Sequence, residues 1–170
     1  MFIGLLSDTH GAFDDPLRSF LEEVDQIWHV GDFGNMETAD AIAAFKPLTG
    51  VYGNCDDYKI RQVYPSMQFF EMEQLKVLMV HIGGSPGRYD SQAYSLIVAH
   101  QPNLFICGHS HTLKVINDKA NHLLYINPGA AGHYGIHTIR TAVRFHLNVG
   151  KVSELEVWEQ ARSSTYPLNL

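Results

Sequence analysis

Two imidazoles stand two residues apart in Cys107-Gly108-His109-Ser110-His111, directly after the apolar run 104–107. Four further polar clusters follow strand-like apolar runs in the same way. Residues 2–7 deliver Asp8-Thr9-His10, and 26–30 deliver Gly31-Asp32. Residues 48–52 deliver Gly53-Asn54-Cys55-Asp56, and 76–80 deliver His81. Imidazole nitrogens and carboxylate or amide oxygens are donors for divalent metals, which act as Lewis acids and lower the pKa of bound water. Together the clusters carry enough donors for two such ions sharing one carboxylate. Taken singly, each has a plainer explanation. Asp8 could cap a helix, Asp32 and Asn54 could make turns, and His109 and His111 could face solvent from a loop. Recurrence separates the two readings: the same strand-to-donor junction is repeated along the chain, and α/β folds gather ligands beyond the carboxyl ends of their strands.

The elements between the clusters fit that placement. Run 2–7 is continuously apolar, as a strand buried on both faces would be. In the helix that follows, Asp14 or Asp15 can cap, Pro16 suits the first turn, and Leu17, Phe20, Leu21 and Val24 mark one face. With 26–30 this makes a βαβ unit. Asn35 can cap a second helix packed through Met36, Ala39, Ile42, Ala43 and Phe45 and stopped by Pro47. Residues 66–73 and 75–80 read as a hairpin that ends at His81. A third helix is expected over 90–100, broken by Pro102. Beyond the histidine cluster the chain is β-rich. Residues 114–117 pair with 123–127 and 141–149 with 152–158, separated by the glycine-rich loop Asn127-Pro128-Gly129-Ala130-Ala131-Gly132. The polar tail after Glu159 is expected to fray or drape over the surface. His29 reads as a packed strand residue, and His100 as a helix-end residue.

A length of 170 residues with 45% apolar content fits one compact domain spanning 1–170. The net charge is −6 and no stretch is basic, so long nucleic acid is not an expected partner. The two cysteines, Cys55 and Cys107, make no disulfide framework and suit a reducing compartment. The N-terminus lacks the basic region of a signal peptide, and no segment has the length of a membrane span. A cytoplasmic location with no membrane partner is therefore expected. A homo-oligomer built through an edge strand is compatible with the chain, although no stretch specifies one.

The ordered set Asp8-x-His10, Gly31-Asp32, Gly53-Asn54-Cys55-Asp56, His81 and Gly108-His109-x-His111 resembles the calcineurin-like metallophosphoesterase superfamily. The resemblance is closest to its small, single-domain phosphodiesterase branch with a Gly-Asn-Cys-Asp motif. That branch includes a retromer scaffold subunit that has lost much of the site. The match runs from Phe2 to about Gly129. It implies an α/β fold, a four-layer αββα sandwich of two mixed β-sheets flanked by helices, with the site at one edge. It also implies that Asp8, His10 and His111 hold one metal ion and Asn54, His81 and His109 a second, with Asp32 bridging. Such mixed ligation suits two divalent transition-metal ions (Mn, Zn, Fe, Ni or Co) better than Mg or Ca.

The activity implied is hydrolysis of a small phosphodiester by in-line attack of a hydroxide bridging ions about 3.5–4 Å apart. Asp32, Asn54 and His109 would form the catalytic centre. Larger family members carry a histidine after the Asn, which contacts substrate and can protonate the leaving group. Cys55 stands there instead, and a thiol is no comparable acid near neutral pH. His133, His137, a metal-bound water or no group at all are the alternatives, and Arg140 is a candidate for a phosphate oxygen. Cys55, His133 and Arg140 are accordingly the expected substrate-facing residues. Asp56 is expected to orient a site histidine or to form a cap or turn. Two other functions fit the same ligand set: a phosphomonoesterase on a nucleotide or small metabolite, and a non-catalytic scaffold on the same fold. Cys55 disfavours the first, with its poorer leaving groups, and the filled ligand set disfavours the second.

Overall fold

The computed structural model describes residues 1–162, and residues 163–170 lie outside the described residues. The first half of the chain runs β1 (Phe2–Leu6), α1 (Asp15–Phe20), β2 (Gln26–Val30), α2 (Met36–Phe45), β3 (Leu48–Val51) and α3 (Tyr58–Val63). Then come β4 (Met67–Met72), β5 (Leu75–Val80), a short hairpin of β6 (Gly84–Ser85) and β7 (Arg88–Tyr89), and α4 (Ser91–His100). The chain continues with β8 (Leu104–Ile106), β9 (Leu113–Asp118), β10 (Leu123–Pro128), β11 (Ile139–Asn148) and β12 (Lys151–Ala161). Most of the tail expected to fray thus falls outside the described residues, and the part that is described extends β12.

The strands form two mixed five-stranded sheets, ordered β12-β11-β1-β2-β3 and β4-β5-β8-β10-β9. In the first, β1, β2 and β3 are parallel neighbours; in the second, β5, β8 and β10 are. The sheets pack face to face over Ile3, Leu5, Trp28, Met79, Ile126 and Phe145, all buried. Burying a side chain of this size contributes about 1.5–3 kcal/mol. A second apolar layer joins the outer face of the first sheet to α1, α2 and α3 through Leu17, Ile42 and Ile60. A third joins the second sheet to α4 through Ala93 and Ile97. The expected α/β sandwich of two mixed sheets flanked by helices is what the chain forms.

Local chemistry sets the helix starts. The Asn35 side chain accepts from the Thr38 N–H, and Asp90 accepts from Gln92 and Ala93. Such caps are worth about 1 kcal/mol each. Asp57 does the same for α3, a helix not expected from sequence. In contrast, α1 stops at Phe20, partway along the apolar stripe. Leu21 and Val24 are still buried, but on turns that return the chain to β2. No described helix is long and apolar enough to cross a membrane.

Candidate metal centre

Parallel pairing sets the carboxyl ends of β1, β2 and β3 side by side, and those of β5, β8 and β10 likewise. Main-chain bonds extend the pairing into the loops: Asp8 N–H donates to Gly31 O at 2.9 Å, and His10 N–H to Asp32 O at 3.1 Å. In the other sheet Gly108 N–H donates to His81 O at 2.9 Å. The loops then meet across the sheets. The His109 N–H donates to Asp8 Oδ2 at 3.0 Å, and the Gly132 N–H to Asp8 O at 3.0 Å. These close approaches need glycine. A Cβ on Gly108 would run into Ser7 Oγ, and one on Gly53 into Asp32 Oδ1.

The donors converge where the loops meet. His111 Nε2 lies 3.1 Å from Asp8 Oδ1, and His10 Nε2 is 3.9 Å from both Asp8 Oδ1 and Asp32 Oδ2. His81 Nε2 is 3.3 Å from Asp32 Oδ2 and 3.0 Å from Asn54 Oδ1. Asp8, His10 and His111 form one compact group able to hold a metal ion, and Asp8, Asp32 and His81 another. The His109 ring is 5.3 Å from that of His81, centroid to centroid. It stands beside these groups and belongs to neither. Asp8, His10, Asp32, His109 and His111 all have φ between 46° and 65°. Non-glycine residues rarely adopt this left-handed region, and such strain is concentrated at functional sites.

Three observations fit a metal ion. First, His10 Nε2 is buried with no hydrogen-bond partner among the described residues. Second, His81 Nδ1–H donates to Val30 O at 2.7 Å, which turns Nε2 toward two oxygen acceptors. Without a cation, only the imidazolium can satisfy them. Burial opposes that charge, yet hydrogen bonding and charge interaction with Asp32 raise the His81 pKa. Third, His111 repeats the arrangement. His137 Nε2–H donates to Gly132 O at 3.2 Å, so its Nδ1 accepts from His111 Nδ1–H, also at 3.2 Å. His111 Nε2 is thereby left as a lone pair facing Asp8. Second contacts of this kind fix ring orientation in metal sites. Asp32 is suited to sit between positive charges: burial raises its pKa, but His81 and the Cys55 N–H hold it well below the usual carboxylate range.

The structure gives other expected residues different places. Asp56 orients no histidine. Its carboxylate accepts from the N–H groups of Asp32, Gly53 and Gly34 at 2.9, 2.8 and 3.1 Å, tying two donor loops together. Cys55 is exposed beside Asn54, and its thiol is pushed up to about 11 by desolvation and by Asp32. His133 stands 3.4 Å from Asp14. Arg140, expected from sequence to face a phosphate oxygen, is committed to other partners. Its guanidinium is buried and bonded to Asp14, Gln160 and the carbonyl of Ala131, so it braces the loop after β10 and makes no approach to the donors. His137, expected from sequence only as a candidate proton donor, also contacts His111. That contact joins residues 26 apart and leaves no local pattern.

Comparison with known proteins bears on the family and the fold. A family model described as the calcineurin-like phosphoesterase superfamily domain matches residues 1–150. A protein of Methanothermobacter thermautotrophicus described as a probable metallophosphoesterase is 28% identical over 138 residues, 76% of this chain and 77% of that one. Vps29 of Chaetomium thermophilum has a similar fold (TM-score 0.74, 13% identity, 96% of this chain and 100% of that one). So has zinc-complexed Vps29 of Entamoeba histolytica (0.73, 17%, 98% and 95%). An archaeal phosphodiesterase gives a TM-score of 0.70 at 20% identity, covering 93% of this chain and 100% of that one. With 150 residues matched by the family model and the donors gathered at the strand ends, the chain belongs to the calcineurin-like phosphoesterase superfamily.

Proposed function

We propose that the protein is a dinuclear, metal-dependent phosphodiesterase acting on a small phosphodiester. The observation that supports this reading is the convergence of ligand atoms: His10 Nε2 has no hydrogen-bond partner among the described residues, and His81 and His111 each turn Nε2 toward an amide or carboxylate oxygen. Asp8, His10 and His111 would hold one ion, and Asn54, His81 and His109 the other, with Asp32 between them. When bound, such ions supply Lewis acidity at phosphoryl oxygens and lower the pKa of a water toward neutrality.

The chain's own residues set what that chemistry can do. Asp32 stays ionised because its pKa is held low. Asn54 presents a neutral oxygen toward His81, its amide nitrogen being turned to Cys55 Sγ at 3.3 Å. The Cys55 thiol, near 11, remains protonated at neutral pH and is a poor proton donor to a departing alkoxide. Diesters with good leaving groups are the substrates this arrangement favours. The free thiols Cys55 and Cys107 also fit a reducing cytoplasm.

The test is turnover of bis-p-nitrophenyl phosphate and p-nitrophenyl phosphate by metal-stripped protein, with Mn, Zn, Ni, Co or Mg restored one at a time. Faster metal-dependent diester cleavage that disappears in His81→Ala supports the reading. Faster monoester cleavage replaces it with a phosphomonoesterase. Tight binding of two ions without turnover of either ester sinks the enzyme reading and leaves a scaffold.

A further inference from the structure

A cleft of about 460 Å³ opens beside Asn54 and His81. This is room for a nucleoside-sized group and more than a lone phosphate fills. Met67 of β4, Val80 at the end of β5, Ile82 and Leu96 of α4 give it apolar walls. Arg61 of α3 lines the same cleft and is its unusual member.

Arg61 is immobilised without being neutralised. Its Nε donates to Asp56 O at 2.8 Å and its Nη2 to Asn54 O at 3.0 Å, both in the loop that supplies Asn54 to the centre. Its guanidinium carbon lies 4.8 Å from the Tyr52 ring centroid. Nη1 makes no hydrogen bond among the described residues, and Arg61 makes no ion pair there. Arg140 and Arg144, in contrast, are matched to Asp14 and to Glu156. The acid on the cleft wall, Asp90, is occupied in capping α4. A planar cation held by carbonyls and an aromatic face, with one edge uncommitted, is a receptor for phosphate oxygens.

Building on the phosphodiesterase reading, we infer that this cleft binds one substituent of the diester, a nucleoside carrying a second phosphate, and that Arg61 binds that phosphate. The apolar walls suit a base, and the cation suits the added charge. The net charge of −6 and the lack of a basic stretch argue against a long polymer, so the substituent inferred is a single nucleotide unit. Arg61 is a specificity residue here: it selects the substituent and takes no part in the bond cleavage.

Thymidine 5′-(p-nitrophenyl phosphate) and its 3′-phosphorylated counterpart differ by the phosphate in question. Both are assayed with the full chain as wild type, Arg61→Gln and Arg61→Lys, and the metal content of each protein is measured. The wild type should prefer the 3′-phosphorylated ester by roughly tenfold in kcat/KM, as expected for one charge-assisted contact. Arg61→Gln should abolish the preference through KM, and Arg61→Lys should restore part of it. No preference in the wild type, or an equal loss on both esters in Arg61→Gln, overturns the inference and leaves Arg61 as a brace for its loop. Calorimetry with thymidine 3′,5′-bisphosphate and thymidine 5′-phosphate separates this from the enzyme reading. Tighter, Arg61-dependent binding of the bisphosphate without turnover of any ester keeps the cleft and rejects the phosphodiesterase. Turnover without that binding difference does the reverse.

Discussion

The His81 and His111 halves of the donor cluster use the same ligand atom, an imidazole Nε2, but become rigid by different means. His81 is 4% exposed, and its ring is fixed by Val30 O, Asp32 and Asn54, all at strand ends. His111 is more open, at 18% side-chain exposure, and its ring is oriented by His137 from the loop between β10 and β11. Strand ends inherit their order from a sheet buried on both faces. The loop must be braced separately, by Arg140 at Ala131 O and by the Ala131 N–H to Ser7 O. One half is thus rigid through the fold and the other through a relay of side chains.

The strongest test breaks both halves together. Asp32→Asn removes the charge between them and should lower kcat for diester cleavage roughly a thousandfold, several kcal/mol of lost charge stabilisation. A loss confined to KM would show that Asp32 is peripheral. Next, metal added at about one hundred times its Kd should stabilise the wild type by about 2.7 kcal/mol. That is a rise in Tm of roughly 5–10 °C by thermal melt. An unchanged Tm would refute the metal centre itself. His137→Ala separates the halves: metal affinity or activity should fall roughly 10- to 100-fold. Titration should show one ion weakened and the other retained. Weakening of both alike would erase the distinction.

The smallest effect concerns the brace. Asp14→Asn should cost about 1 kcal/mol in denaturant melts, since Arg140 keeps Gln160 and Ala131 O as partners. Burial raises the Asp14 pKa, but Arg140 outweighs it and holds the carboxyl below its ordinary 3.8. A carboxyl depressed on folding stabilises above its unfolded value and loses that contribution as pH falls through the folded one. The wild-type and Asp14→Asn stabilities should therefore converge below about pH 3.8. Parallel curves down to acid would contradict the pairing.

Much of this was legible because it is local. The runs before Asp8, Asp32, Asn54, His81 and His109 are strands, and Asn35 and Asp90 cap helices as their sequence neighbours suggest. What was hidden is conformational or long-range. Tyr58–Val63 is a six-residue helix, too short for periodicity to register. The stripe through Val24 does not reveal that α1 ends at Phe20, because turns bury Leu21 and Val24 as well as a helix would. Arg140 follows a glycine-rich loop, and sequence alone does not say which face of β11 it takes. Its partner Asp14 lies 126 residues away. Arg61 looks like any exposed helix charge until its three carbonyl contacts and its lack of an ion pair among the described residues are seen together.

The left-handed backbone at Asp8, His10, Asp32, His109 and His111 bears on how fast the protein can take up an ion. Fixing one residue's backbone costs about 1–2 kcal/mol of conformational entropy. At these positions the main-chain bonds that tie the loops together hold the conformation, so that cost does not fall on ion binding. An arriving ion meets donors already aimed and has no loop conformations to wait for. Uptake should then run at a rate set by encounter and by loss of the ion's hydration water, nearly independent of solvent viscosity beyond diffusion.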